Sequence, residues 1–278
     1  VKIGTCVGTV VLLLATAVPA QAADELEYVA LGDSAAAGPW IPTQVDQACK
    51  RSDHNYPAVA AKALGAKLVD VSCSGAITPD LTSKGENAKA AQLDALSAST
   101  GLVTLTIGAN DSGLFSQALT CINALPEPIG KSCADRFRSG GADPIAASVE
   151  AWAPTLGTAL DEVRRRAPKA KVLVTGYGTY LRRGGCYPIQ PVWARDADYL
   201  QDTMDRISSI AREQAKARGM GFVDFAAVTV GHDICAAPRD RYLEGLVPVN
   251  IAAPLHPNAK GMAAFAAAVT AAASGSQG

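Results

Sequence analysis

Five apolar runs of strand length, at residues 28–31, 67–71, 102–107, 171–175 and 221–225, are each bounded by glycine, proline or charge. They lack strict polar–apolar alternation, as strands buried on both faces do. Helical patterns separate or follow them at 56–64, 88–98, 144–166, 197–218 and 259–272. In the fourth, Met204, Ile207, Ile210, Ala211 and Ala215 recur at spacings of three and four, with Asp205, Arg206 and Arg212 between them. Alternating strand and helix implies an α/β fold in which a parallel sheet is covered by helices on both faces. In such sheets the chemistry gathers beyond the carboxyl ends of the strands, where the connections diverge.

The chain opens with Lys2, an apolar run at 7–18, and the small-residue stretch Pro19-Ala20-Gln21-Ala22. This is the layout of a secretory signal peptide over residues 1–22, cleaved after Ala22, and its core is too short for a comfortable membrane span. Residues 23–278 contain no repeat or low-complexity linker, so a single domain is expected. Loss of Lys2 takes the formal net charge from −1 to −2. Lys and Arg are scattered and no basic patch is interleaved with aromatics, which argues against nucleic acid as a partner.

Of seven cysteines, Cys6 leaves with the signal. Cys49, Cys73, Cys121, Cys133, Cys186 and Cys235 remain, an even set in an exported chain and hence a disulfide inventory. Fifteen pairings are open to six cysteines; the simplest is sequential. With no CxxC spacing and no neighbouring histidines of a zinc site, neither metal nor other cofactor is expected.

The strand ends carry a suggestive set of residues. The first run ends in Gly32-Asp33-Ser34, a serine exposed at a turn with Gly38 close behind. The second leads into Ser72-Cys73-Ser74-Gly75-Ala76, and the third into Gly108-Ala109-Asn110-Asp111. Leu255-His256-Pro257-Asn258 stands just before the last helical pattern. Singly, each is weak: serine and aspartate are common caps, and asparagine favours left-handed turns.

Together, in this order, the four blocks resemble the SGNH hydrolase superfamily of GDSL lipases and esterases. The six cysteines and the Gly231-His232-Asp233-Ile234-Cys235 run are similar to those of the disulfide-containing secreted actinobacterial members. The resemblance implies a flavodoxin-like three-layer α/β/α fold with a central, mostly parallel five-stranded sheet. It also implies a serine hydrolase acting on carboxylic esters, with Ser34 as nucleophile and His256 as base and then acid. The backbone N–H groups of Ser34 and Gly75 and the side-chain amide of Asn110 would form the oxyanion hole. Gly75 would be glycine because a Cβ would collide with the substrate oxygen.

Two positions depart from the family pattern. Three residues before the histidine, where the family usually has an orienting aspartate, stands Ala253. Some secreted actinobacterial members use a main-chain carbonyl instead, and that resemblance implies that a carbonyl near Ala253 or Pro254 accepts the Nδ1–H of His256, making a Ser–His dyad; Asp240 and Glu244 are the rival acids. The second departure is Ala35, where a larger residue often adjoins the serine, which bears on the acyl pocket. Asp33 and Asp111 read as turn or cap residues, His54 as solvated, and His232 as a structural hydrogen-bonder. Trp40 could line an acyl groove, and residues 114–144 read as disulfide-tied loop shaping an apolar mouth.

With aromatic residues only 5% of the chain, a stacking platform for polysaccharide is disfavoured. The expected substrate is a small-molecule or lipid ester with a short-to-medium acyl chain. Carbohydrate acetyl-ester hydrolysis and turnover-free ligand binding are the alternatives. The expected product of export is an extracellular monomer without a membrane span.

Overall fold

The computed structural model describes residues 1–4 and 25–275, so the apolar run and cleavage position of the expected signal peptide lie outside the described residues. Five parallel strands form the central sheet: β1 (Glu27–Gly32), β4 (Lys67–Asp70), β5 (Leu102–Thr106), β6 (Lys171–Thr175) and β7 (Gly221–Val223). Their order is β4-β1-β5-β6-β7, with every pairing parallel. A short antiparallel ribbon of β2 (Gln44–Asp46) and β3 (Arg51–Ser52), absent from the sequence reading, stands apart from it. The order reverses between β1 and β5, which is the switch point of a flavodoxin-like sheet.

The expected strands at the centre are fully buried: all five residues of β5 and four of five in β6. Buried hydroxyls in this apolar core are satisfied by one another. Tyr28 Oη lies 2.8 Å from Thr104 Oγ1, Tyr56 Oη 2.9 Å from Thr106 Oγ1, and Thr106 Oγ1 2.7 Å from Thr175 Oγ1. On one face α2 (Tyr56–Leu64) packs on α8 (Ala259–Ser274), with α7 (Phe225–Thr229) against α8. On the other, α5 (Pro144–Arg166) packs on α6 (Ala194–Ala217). The caps follow from local chemistry: Asn55, Asp143 and Asn258 each accept backbone N–H bonds at the starts of α2, α5 and α8.

Three expectations need correction. Residues 88–98 form no α-helix; only a 3₁₀ turn at Gln92–Ala95 is present, because the Gln92 amide grips the backbone of Gly32 from a distance in sequence. Tertiary pairing there overrides an alanine-rich local preference. Phe225 leaves the last strand, since Asp224 caps α7 and Phe225 stacks on Phe265 at 3.9 Å. Residues 114–144 are not all loop: α3 (Leu114–Ala118) and α4 (Cys133–Phe137) lie there. The latter is started by Ser132, whose hydroxyl donates to Asp196 at 2.6 Å.

The cysteines pair in sequence order, Cys49–Cys73, Cys121–Cys133 and Cys186–Cys235. Among the described residues no helix is long and apolar enough to cross a membrane, and no group of His, Cys, Asp or Glu is placed to hold a metal ion.

Candidate active site

Strand β1 delivers Ser34 through a backbone only glycine can adopt. Gly32 has φ +143°, and a Cβ there would lie 2.4 Å from the Thr106 carbonyl oxygen. Gln92 fixes this residue from both sides, accepting from Gly32 N at 2.7 Å and donating to its carbonyl at 2.9 Å. Asp33 then caps a single helical turn, α1 (Ser34–Ala37), by accepting from Ala35 N at 2.8 Å. Ser34 is thus the first residue of a helical turn, not part of a loop.

His256 arrives through a second constrained backbone. Leu255 sits at φ +58°, a left-handed conformation that folds the chain back, so that the imidazole meets the carbonyl two residues earlier. Nδ1 lies 2.7 Å from Pro254 O and Nε2 lies 2.7 Å from Ser34 Oγ. A carbonyl only accepts, so Nδ1 carries the proton and Nε2 is free to accept from the serine hydroxyl. Burial pushes the imidazole pKa down to about 4; the Pro254 carbonyl works against that and Lys50 adds to it.

The rival acids are engaged elsewhere. Glu244 is buried, and its carboxylate accepts from Asn250 Nδ2 and Asn258 Nδ2, both at 2.7 Å, and from Val249 N at 2.9 Å. Burial raises its pKa, but these hydrogen bonds outweigh that and hold it low. Asp240 turns its side chain to Arg239, and its main-chain carbonyl meets His232 Nδ1. Among the hydrogen-bond partners of the His256 ring no carboxylate occurs.

Gly75 and Asn110 face the same groove as Ser34 and His256. Asn110 Nδ2 donates to Ala76 O at 3.0 Å, which orients the amide and leaves its second N–H for a ligand. The Gly75 turn is held by Cys73 N to Gly32 O and Ser74 N to Cys49 O, on either side of the Cys49–Cys73 bond. Gly75 has φ +87°, a backbone conformation that favours glycine, and a Cβ there would face open space with no protein atom within 4 Å.

Tyr177, just past the end of β6, escaped the sequence reading. Its hydroxyl donates to Asp33 Oδ2 at 2.5 Å and accepts from Ala109 N at 3.0 Å. One phenol therefore ties the residue before Ser34 to the residue before Asn110. Its position after a strand end was the available signal. Asp33 combines its capping role with this contact, and burial raises its carboxyl pKa to about 7 against the hydrogen bonds from Tyr177 and Ala35. Asp111 accepts from Thr78 N at 2.9 Å. His54 is exposed beside Asp53, and His232 stacks on Tyr242 at 3.9 Å.

Two cavities meet at Ser34. The inner pocket, partly open to solvent, is walled by Leu114, Phe115, Val192, Leu200 and Met204. The outer groove is more polar, lined by Trp40, Lys50, Ser74, Asn87 and Ala253, so Trp40 borders this groove and not the apolar pocket. Trp40, Lys50 and Leu255, the non-glycine residues with positive φ among those described, all line the outer groove. Backbone strain is concentrated where the cavities open.

A hydroxyl hydrogen-bonded to an oriented imidazole, beyond the carboxyl ends of a doubly wound parallel sheet and beside an apolar pocket, defines a serine hydrolase class of site. A sequence model of the GDSL-like lipase/acylhydrolase family matches residues 30–264, and the chain belongs to that family; it is a carboxylic ester hydrolase. It is 41% identical over 268 residues to Lipase 2 of Streptomyces coelicolor, covering 92% of this chain and 90% of that protein. Among solved structures it is similar to phospholipase A1 from Streptomyces albidoflavus (TM-score 0.75, 28% identity, 89% of this chain and 99% of that one). It is similar also to the extracellular lipase of Streptomyces rimosus (TM-score 0.74, 27% identity, the same coverage).

Proposed function

We infer that this chain is an exported single-domain lipase or esterase that hydrolyses lipid-like carboxylic esters through an acyl-enzyme on Ser34, with His256 as its partner in a dyad. The observation that carries the reading is the relay Pro254 O, His256, Ser34 Oγ, with 2.7 Å at each contact. Ser34 Oγ attacks the ester carbonyl carbon while its proton passes to His256 Nε2. The oxyanion meets the N–H groups of Ser34 and Gly75 and the free N–H of Asn110. Collapse of the tetrahedral intermediate breaks the bond to the alcohol, which leaves with the proton from Nε2. Water, deprotonated by the same nitrogen, then attacks the acyl-serine, and the carboxylic acid departs as Ser34 recovers its proton. A neutral carbonyl on Nδ1 fixes the tautomer, while stabilising the imidazolium less than a carboxylate would.

The inner pocket suits the acyl chain and the outer groove the alcohol. The mainly aliphatic walls, with Leu114, Val192, Leu200 and Met204, favour an aliphatic acyl group over a sugar. Export rests on the signal-like residues 1–22 and the three disulfides. The test is labelling by a fluorophosphonate probe together with a panel of p-nitrophenyl esters of increasing chain length. Wild type is expected to label and turn over, and Ser34→Ala to do neither; an unlabelled wild-type protein overturns the reading.

A further inference from the structure

Around the mouth of the two cavities the surface is unusual in composition. Four segments, 38–42, 114–126, 186–193 and 245–256, contain no Asp, Glu, Lys or Arg, in a chain that is 18% charged overall. A solvated loop surface normally carries charges of both signs, so this depletion needs a cause. Each segment contributes residues to the walls at Ser34: Pro39 and Trp40, Phe115 and Leu119, Gln190 and Val192, Leu246 and Pro254.

The segments are tied into a continuous rim. Ala253 N donates to Pro39 O at 3.0 Å, Leu246 N to the Gln190 side chain at 3.2 Å, and Asn123 N to Pro191 O at 2.7 Å. Upon this rim stand nine of the thirteen exposed large apolar side chains found between residues 25 and 275. Ile122 and Leu125 project from the segment closed by Cys121–Cys133, Ile189 from the next, and Val247 and Ile251, 76% and 68% exposed, from the loop before His256. Scattered exposed hydrophobics are ordinary, but a charge-free ring of them marks a surface that meets an apolar partner.

The mouth at the centre of the ring decides which partner. A protein docked on the rim, or a second copy of this chain, would cover the entrance to Ser34. A lipid surface, by contrast, brings the ester to that entrance. The four segments hold no lysine or arginine, and among the described residues Lys50 is the single lysine or arginine lining the outer groove, too little to make anionic headgroups a requirement. We propose that the four charge-free segments form an interfacial docking ring that seats the mouth of the active site on a neutral or zwitterionic lipid surface. The proposal deepens the esterase reading by giving the physical state in which the substrate is met.

Binding can be measured without turnover, which separates this proposal from the catalytic one. Ser34→Ala protein is co-sedimented with phosphatidylcholine vesicles, alone and carrying Ile122→Asp with Leu125→Asp, or Val247→Asp with Ile251→Asp. The same aspartate at Val45 and at Val230, exposed but off the rim, serves as control. Each rim pair is expected to lower the partition coefficient by about tenfold or more, as loss of two inserted apolar side chains implies. The controls are expected to leave it unchanged, and raising salt to change it by less than about twofold, since Lys50 is the single lysine or arginine lining the outer groove among the described residues. In the Ser34 background, the rim pairs should hydrolyse a monomeric p-nitrophenyl ester at near the wild-type rate, which also shows that they are folded. Absence of vesicle binding by the parent overturns the proposal, as does equal loss in rim and control variants. So does a concentration-dependent dimer in sedimentation velocity that the rim changes dissolve.

Discussion

The His256 imidazole is buried with a neutral carbonyl on one nitrogen and a hydroxyl on the other, and its pKa is pushed down to about 4 from an ordinary 6.5. That displacement corresponds to about 3 kcal/mol against the imidazolium. The perturbation is acid. If the base titrates near 4, about 90% of the enzyme is competent at pH 5; if it titrated at 6.5, roughly 3% would be. The assay is kcat/KM for a non-titrating p-nitrophenyl ester from pH 3.5 to 9, with activity recovered on return to pH 8 to exclude unfolding. An acid limb near pH 4 is expected, moved upward in Lys50→Gln because Lys50 opposes the imidazolium. A limb at 6.5 or above would refute the reasoning. Stability cannot replace this assay. His256 is protonated at about 6.5 when unfolded but only near 4 when folded, so its contribution falls as pH drops through that window. Asp33 does the reverse: with a folded pKa of about 7, it favours the folded state increasingly, by about 4 kcal/mol, as pH drops from 7 to its unfolded value near 3.8. The two slopes nearly cancel between pH 4 and 6.5, and only the rate isolates His256. Asp33→Asn should remove any inflection near pH 7 and leave the limb near 4.

Asn110→Ala should lower kcat by about 10²–10³ with a small change in KM, measured by steady-state kinetics, because in the proposed mechanism the amide meets charge that exists only in the transition state. Tyr177→Phe strips a buried acceptor from Ala109 N and a donor from Asp33. It should destabilise by about 1–3 kcal/mol in urea titrations, and lower kcat more than it changes KM. Replacing Cys186 and Cys235 by serine opens a loop with a sequence separation of 49 and should lower unfolding free energy by about 4 kcal/mol in denaturant melts.

The elements legible in the sequence were those fixed by local pattern. Helix α5 at Pro144–Arg166 and strand β6 at Lys171–Thr175 fall where proline, capping aspartate and an apolar run place them. What stayed hidden depended on partners far along the chain. Residues 88–98 have the composition of a helix, yet Gln92 is drawn to Gly32, sixty residues away. The ribbon β2–β3 is too short and too polar to show a period. Tyr177 looked like any strand-end residue until Asp33 and Ala109 met at its hydroxyl. For His256 the orienting group was anticipated as a main-chain carbonyl near Ala253 or Pro254, and Pro254 O stands at Nδ1; the left-handed turn at Leu255 that brings it there has no sequence signature, since leucine rarely adopts it.

The missing aspartate and the charge-free rim have a common physical logic. A carboxylate behind His256 would bury a second anion beside the inner pocket, which Asp33 also lines with a carboxyl whose pKa burial has already raised to about 7. The carboxylate that stands nearest in sequence, Glu244, is instead committed to Asn258, the cap of α8, and to the loop at Val249 and Asn250 that leads to the histidine. It holds the backbone that carries His256 without touching the ring. The site therefore takes its orientation from neutral dipoles, and its buried anion holds the backbone from behind. Converting Glu244 to Gln tests this division of labour: with the imidazole untouched, the acid limb should stay near pH 4 while thermal stability falls. A shift of the limb by a full unit or more would show that Glu244 reaches the ring electrostatically, and the description of the site as a dyad would have to give way to a triad with a displaced acid.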